Sequence, residues 1–128
     1  MKASTREWVR CAEEDFDVAS ALMRRRTKTA ANTIGFHSQQ CAEKYLKARL
    51  EEAGLPVART HDLVALLQLL LGIEPLWAAF APACRALNDY AVKFRYPGYR
   101  LSRSDAKKAL RTIRSLRSDI RLSLGLPR

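Results

Sequence analysis

Apolar residues recur at steps of three and four along most of this chain, and no segment sustains the two-residue alternation of a strand. Trp8, Cys11, Ala12, Phe16, Ala19 and Met23 make the first stripe, one face of a helix of about five turns. Ser4-Thr5-Arg6-Glu7 ahead of it has the serine-x-x-glutamate spacing of a capping box, which predicts a helix start there. Arg24, Arg25, Arg26 and Lys28 fall near its expected end, where cations complement the negative pole of the helix dipole. A second helix is predicted over 29–53, closed by Gly54 and Pro56. Ile34, Cys41, Tyr45 and Ala48 mark one of its sides and Leu46 and Leu50 another, so it packs between neighbours as the central helix.

A third helix begins near Thr60-His61-Asp62, turns Leu63, Leu66, Leu67, Leu70 and Leu71 inward, and is broken by Gly72 and Glu74-Pro75. A fourth spans 76–93, with Pro82 bending or dividing it. Arg95-Tyr96-Pro97-Gly98-Tyr99 is a turn by composition. The last helix starts at Ser102 or Ser104 and runs to Leu124 along the stripe Ala106, Ala109, Leu110, Ile113, Leu116, Ile120 and Leu124. Five helices with short connections predict an all-α antiparallel five-helix bundle, one domain over residues 1–128.

Composition narrows the class. Hydrophobic residues at 48% and charged residues at 28% are ordinary for a globular protein and set disorder aside. The longest apolar stretch, Leu63 to Ile73, is interrupted by Gln68 and is far short of the ~20 residues a membrane span needs. Residues 1–7 carry no signal-peptide core, so a cytoplasmic, membrane-free protein is expected. Cys11, Cys41 and Cys84 are far apart with no CxxC pair, and His37 and His61 complete no zinc spacing. No disulfide, metal or cofactor is expected.

The formal charge of +10 is concentrated. Residues 93–128 hold eleven basic against two acidic residues, whereas residues 1–92 hold twelve against eleven. Lys107, Lys108, Arg111, Arg114, Arg117 and Arg121 surround the apolar stripe of the last helix, offset only by Asp105 and Asp119. This predicts an electrostatic docking face for RNA or an acidic protein; a solvated surface that keeps the chain soluble is the plainer alternative.

The familiar catalytic motifs are absent: GxSxG, the Walker glycine loop, GxGxxG and HExxH. Two polar clusters remain. At ~100° per residue, His37, Gln40, Lys44 and Lys47 fall within an arc of ~80°, a line suited to phosphates. The same lysines instead snorkel from a packed helix if they pair with Glu43, Glu51 or another helix's carboxylate. The second cluster is Asn88-Asp89-Tyr90 with Arg95-Tyr96-Pro97. An arginine flanked by tyrosines holds an anion bidentately while a ring stacks on a base, or else fills a corner of the core. His61 beside Asp62 reads first as a local cap and second as a catalytic base. Joined, the two clusters would form one anion site, with Lys44 and Lys47 supplying charge, Arg95 clamping, and Tyr96 or Tyr90 stacking.

Phe36-His37-Ser38-Gln39-Gln40-Cys41-Ala42-Glu43-Lys44-Tyr45-Leu46-Lys47-Ala48, Thr60-His61-Asp62-Leu63, Leu87-Asn88-Asp89-Tyr90 and Phe94-Arg95-Tyr96-Pro97-Gly98 resemble successive signatures of HEPN domains, over roughly residues 5–122. The resemblance implies a helical bundle that dimerises, association with a minimal nucleotidyltransferase in a two-component, toxin–antitoxin-type system, and nucleotide or RNA binding. Apolar positions on the second and fourth helices, more numerous than a five-helix monomer covers, also point to a homodimer. Many HEPN proteins are metal-independent ribonucleases whose motif is arginine, four to six residues, then histidine near the end of the fourth helix. Here residues 85–95 contain no histidine, which leaves no evident general acid or base at that place. The resemblance therefore favours a non-catalytic binding protein. A ribonuclease built on His61, Asp62 and Arg95, and a purely structural adaptor, stand as alternatives. In some toxin relatives a tyrosine near the motif is nucleotidylated, which marks Tyr96 and Tyr99 for modification.

Overall fold

The computed structural model describes residues 1–25, 29–93 and 96–128, with the Lys93 side chain left out; Arg26, Thr27, Lys28, Phe94 and Arg95 lie outside the described residues. All regular structure among the described residues is helical: α1 (Ala3–Arg25), α2 (Ala31–Glu52), α3 (Leu63–Leu70), a 3₁₀ segment (Pro75–Phe80), α4 (Ala81–Lys93) and α5 (Arg103–Ser123). None of these helices is long and apolar enough to cross a membrane.

α2 is central. It packs on α1, α3, α4 and α5, and both predicted apolar sides (Ile34, Cys41, Tyr45 and Ala48; Leu46 and Leu50) are fully buried. Its apolar surplus is thus covered within the chain and leaves none for a partner. Gly35 lets α4 and the segment before α5 close on it: a Cβ there would sit 2.6 Å from Leu101 Cδ1 and 3.2 Å from Tyr90 Cβ. Gly54, at φ +73°, ends the helix in the left-handed region that other residues rarely adopt.

α1 and α5 both run antiparallel to partners, as their cross-links show. Lys2 reaches Glu52 and the carbonyl of Glu51 at one end of the α1–α2 pair, and Asp15 meets Lys44 further along. Glu13 of α1 meets Arg117 and Arg121 of α5, while the Met23 carbonyl accepts from Arg103.

The predicted capping box at Ser4 does not form. The helix already includes Ala3, so Ser4 lies in its first turn and donates from Oγ to Glu51 Oε1 at 2.7 Å, and Glu7 is turned to Arg10. A reciprocal box closes instead at the start of α5: Ser102 Oγ accepts from Asp105 N–H at 3.0 Å and Asp105 Oδ2 accepts from Ser102 N–H at 3.1 Å. Every residue of the α5 stripe is buried. Pro82 does divide the fourth predicted helix: it sits in the first turn of α4, where a missing donor costs nothing, and the chain before it tightens to 3₁₀. The turn after α4 closes by Tyr99 N–H donating to Tyr96 O at 3.3 Å, with Gly98 at φ +86°, the type II arrangement that Pro97-Gly98 favours.

Candidate functional site

The start of α3, the second half of α4 and the Tyr96 turn enclose a cavity of about 330 Å³, lined by His61, Asp62, Asn88, Ala91, Val92 and Tyr96. Asn88, Ala91 and Val92 stand at i, i+3 and i+4, so one face of α4 forms the wall. Asn88 ties that wall to α3: its Oδ1 accepts from Leu63 N–H at 2.9 Å and its Nδ2 donates to Asp62 Oδ1 at 2.8 Å. Asp62 Oδ1 also accepts from Val64 N–H at 3.0 Å, making Asp62 the N-cap of α3.

His61 is held from below. Its Nδ1 lies 2.9 Å from Glu43 Oε1, and its backbone oxygen accepts from Gln39 Nε2 at 3.0 Å. Gln40 Nε2 donates in turn to Gln39 Oε1 at 2.8 Å, so Gln40 supports the site through Gln39. The other Glu43 oxygen accepts from Lys47 Nζ at 3.1 Å, and that ammonium stands 5.6 Å from the Trp8 ring centroid. Glu43 is 4% exposed and Lys47 7%, whereas the His61 side chain is 74% exposed. A buried, charge-balanced carboxylate thus fixes one ring nitrogen of an open imidazole. With Nδ1 donating to Glu43, Nε2 is left to a ligand.

The line His37, Gln40, Lys44 and Lys47 does not come together as one anion site. His37 Nδ1 and Lys44 Nζ converge on Asp15 of α1, at 2.7 and 2.5 Å, and Asp15 is itself buried. Lys47 is neutralised by Glu43. A central helix cannot leave two ammonium groups against a core without carboxylates to meet them, and both are supplied from inside the chain. Tyr90 is half-buried against the core beside Gly35 and does not line the cavity. Arg95, expected to clamp the anion, lies outside the described residues.

Residues 5–122 match the HEPN domain family, nearly the whole chain. The chain belongs to the HEPN family. The crystal structure of TT1696 from Thermus thermophilus shares the fold, with a TM-score of 0.82 over 94% of this chain and 98% of that one at 22% identity. No curated protein matches this HEPN chain.

Within the HEPN bundle the cavity occupies the end of the fourth helix. Counted from Arg85, the spacing of the ribonuclease motif lands on Tyr90, Ala91 and Val92, and two of these are the apolar wall of the cavity. An imidazole is present even so, brought in by His61 from the start of α3.

The basic face of α5 is divided. Lys107, Lys108, Arg111 and Arg114 are exposed. Arg117 and Arg121 turn inward to Glu13: Arg117 donates to both carboxylate oxygens at 2.7 and 2.5 Å, Arg121 Nη1 lies 3.3 Å from Oε1, and Tyr45 donates from its hydroxyl at 2.7 Å. Burial alone would raise the Glu13 carboxyl, but the hydrogen bonds from Arg117 and Tyr45 and the two guanidinium charges hold it below its ordinary value. Burial pushes the Tyr45 hydroxyl well up. Sequence reasoning missed Glu13 and Asp15 as partners, although Asp15 interrupts the apolar stripe of α1; the Glu43–Lys47 pair was legible from its four-residue spacing.

Proposed function

We propose that this HEPN domain is a non-catalytic binding protein that holds a nucleotide or an RNA nucleotide in the His61–Asn88–Tyr96 cavity. It acts beside a nucleotidyltransferase partner in a two-component, toxin–antitoxin-type system. The observation that carries the reading is the cavity's make-up: an apolar wall from Ala91 and Val92, a ring at Tyr96 that is 64% exposed, and an imidazole fixed by Glu43. A flat apolar wall with one exposed aromatic suits a base, and His61, Asp62 and Asn88 supply polar edges. Family membership supports the partner, and the exposed cations Lys108 and Arg111 support docking to an acidic surface. Titration with a panel of nucleotides and short RNAs at two salt concentrations tests it. The parent binds saturably, and Tyr96→Ala weakens binding by about tenfold, the scale of one lost stacking contact. A parent that binds none of the panel removes the reading.

One observation favours the ribonuclease alternative: a carboxylate-braced imidazole open to solvent is the arrangement a general base needs. RNA degradation by purified protein that His61→Ala abolishes would put that reading in place of ours.

The protein also pairs with a second copy. The surface that supports this is not α2 but the stretch carrying Leu69, Ile73 and Leu76, the last 88% exposed. Light scattering at micromolar concentration gives twice the chain mass; Leu76→Asp shifts it toward one chain. A parent mass of one chain contradicts pairing.

A further inference from the structure

The seam between α1 and α5 changes character along its length. Toward one end Glu13 pairs with both Arg117 and Arg121. Toward the other, Ser20, Met23 and Arg24 of α1 face Arg103, Lys107 and Arg114 of α5 across a cavity of about 560 Å³. Both sets follow helical spacing: 20, 23 and 24 are i, i+3 and i+4, and 103, 107 and 114 return to one face of α5. Among the described residues, four cations line this cavity and no carboxylate does. Asp17, the next acidic residue along α1, is exposed and not part of the lining. None of the ion pairs among the described residues involves Arg24, Arg103, Lys107 or Arg114. Arg103 donates to the Met23 carbonyl at 3.1 Å, which fixes it at the rim.

A second observation is independent of charge. Ser20, in the lining, is 7% exposed, and its hydroxyl is buried with no hydrogen-bond partner. A stranded donor is costly in a folded protein unless an acceptor comes to it. Arg117 and Arg121 further along the same seam are met by a carboxylate of α1; here α1 offers a hydroxyl and another arginine. We infer that this cavity is a phosphate-binding site for the backbone of a single-stranded polynucleotide. Guanidinium forks from two helices match phosphate oxygens, and four cations around one concavity call for a ligand that repeats its charge. A flat acidic protein surface would meet the exposed cations of α5 but not the concavity between the helices. The site shares no residue with the His61 cavity, so it stands or falls separately.

The test uses the full chain and a labelled single-stranded RNA of about twelve nucleotides, within the range such sites span. Arg24→Gln with Arg114→Gln weakens binding by about tenfold and flattens the dependence of log K on log salt by about 1.4, the value for two lost phosphate contacts on a single strand. Arg6→Gln with Arg59→Gln, an equal change of net charge at exposed positions away from the cavity, changes affinity by less than about threefold. Ser20→Ala lowers affinity while raising the melting temperature, because it removes a hydroxyl without a partner. Equal losses from the two double variants would reduce the site to general charge and overturn the inference. So would a parent that binds no RNA at low salt, or a Ser20→Ala variant that melts earlier and binds unchanged.

Discussion

Replacing Glu43 by alanine lowers folding stability by about 3–5 kcal/mol, the largest loss expected from any single polar substitution in the chain. Glu43 is buried and has two partners, Lys47 on its own helix and His61 from the start of α3. Without it the Lys47 ammonium stays in the core facing the Trp8 ring, with no carboxylate paired to it among the described residues. Removing both charges separates structure from function. Glu43→Leu combined with Lys47→Met leaves no unpaired charge and is near neutral in stability. His61 is then untied, and nucleotide affinity falls by about tenfold through lost pre-organisation. Melting temperature and nucleotide titration on the two variants read both effects. A double variant that melts like the parent and binds like the parent would show that the Glu43 brace has no part in the cavity.

The second large effect is at Glu13. Glu13→Ala strips one partner from each of Arg117, Arg121 and the Tyr45 hydroxyl, and lowers stability by about 2–3 kcal/mol, less than Glu43 because the carboxylate is partly solvated. It also carries a pH signature. The Glu13 carboxyl is held below its ordinary value of 4.5 in the folded chain, so its contribution is complete above that value and is lost as pH falls through the lowered one. Glu13→Gln therefore has a shallower loss of melting temperature than the parent on acidification below pH 4.5. Parallel curves for parent and variant would contradict the pairing.

The helices and their faces were legible because burial on a helix leaves a period in the sequence. The α5 stripe, the two apolar sides of α2 and the proline division before α4 all follow from spacing and backbone chemistry. The capping box was misplaced for a local reason: Ser4-x-x-Glu7 and Ser102-x-x-Asp105 are alike as strings, and only tertiary contact decides that Ser4 serves Glu51 instead. The candidate site was half legible. His61, Asp62, Asn88 and Tyr96 were named from two separate motifs, and the fold brings them to one cavity. Lys44 was drawn toward a phosphate because its carboxylate was unseen: Asp15, twenty-nine residues away on another helix, has no signature in spacing. The cationic cavity between α1 and α5 was hidden for the same reason, since Ser20 and Arg24 acquire meaning only beside Arg103 and Arg114.

The central claim is that the His61–Asn88–Tyr96 cavity receives a nucleotide, and side-chain magnetic resonance during an AMP titration tests it most directly. On uniformly nitrogen-labelled protein at moderate salt, the His61 ring nitrogens and the Asn88 side-chain amide shift along one saturable curve. The His37 ring, held on Asp15 away from the cavity, stays in place. Saturable binding that leaves His61 and Asn88 unmoved would contradict the account.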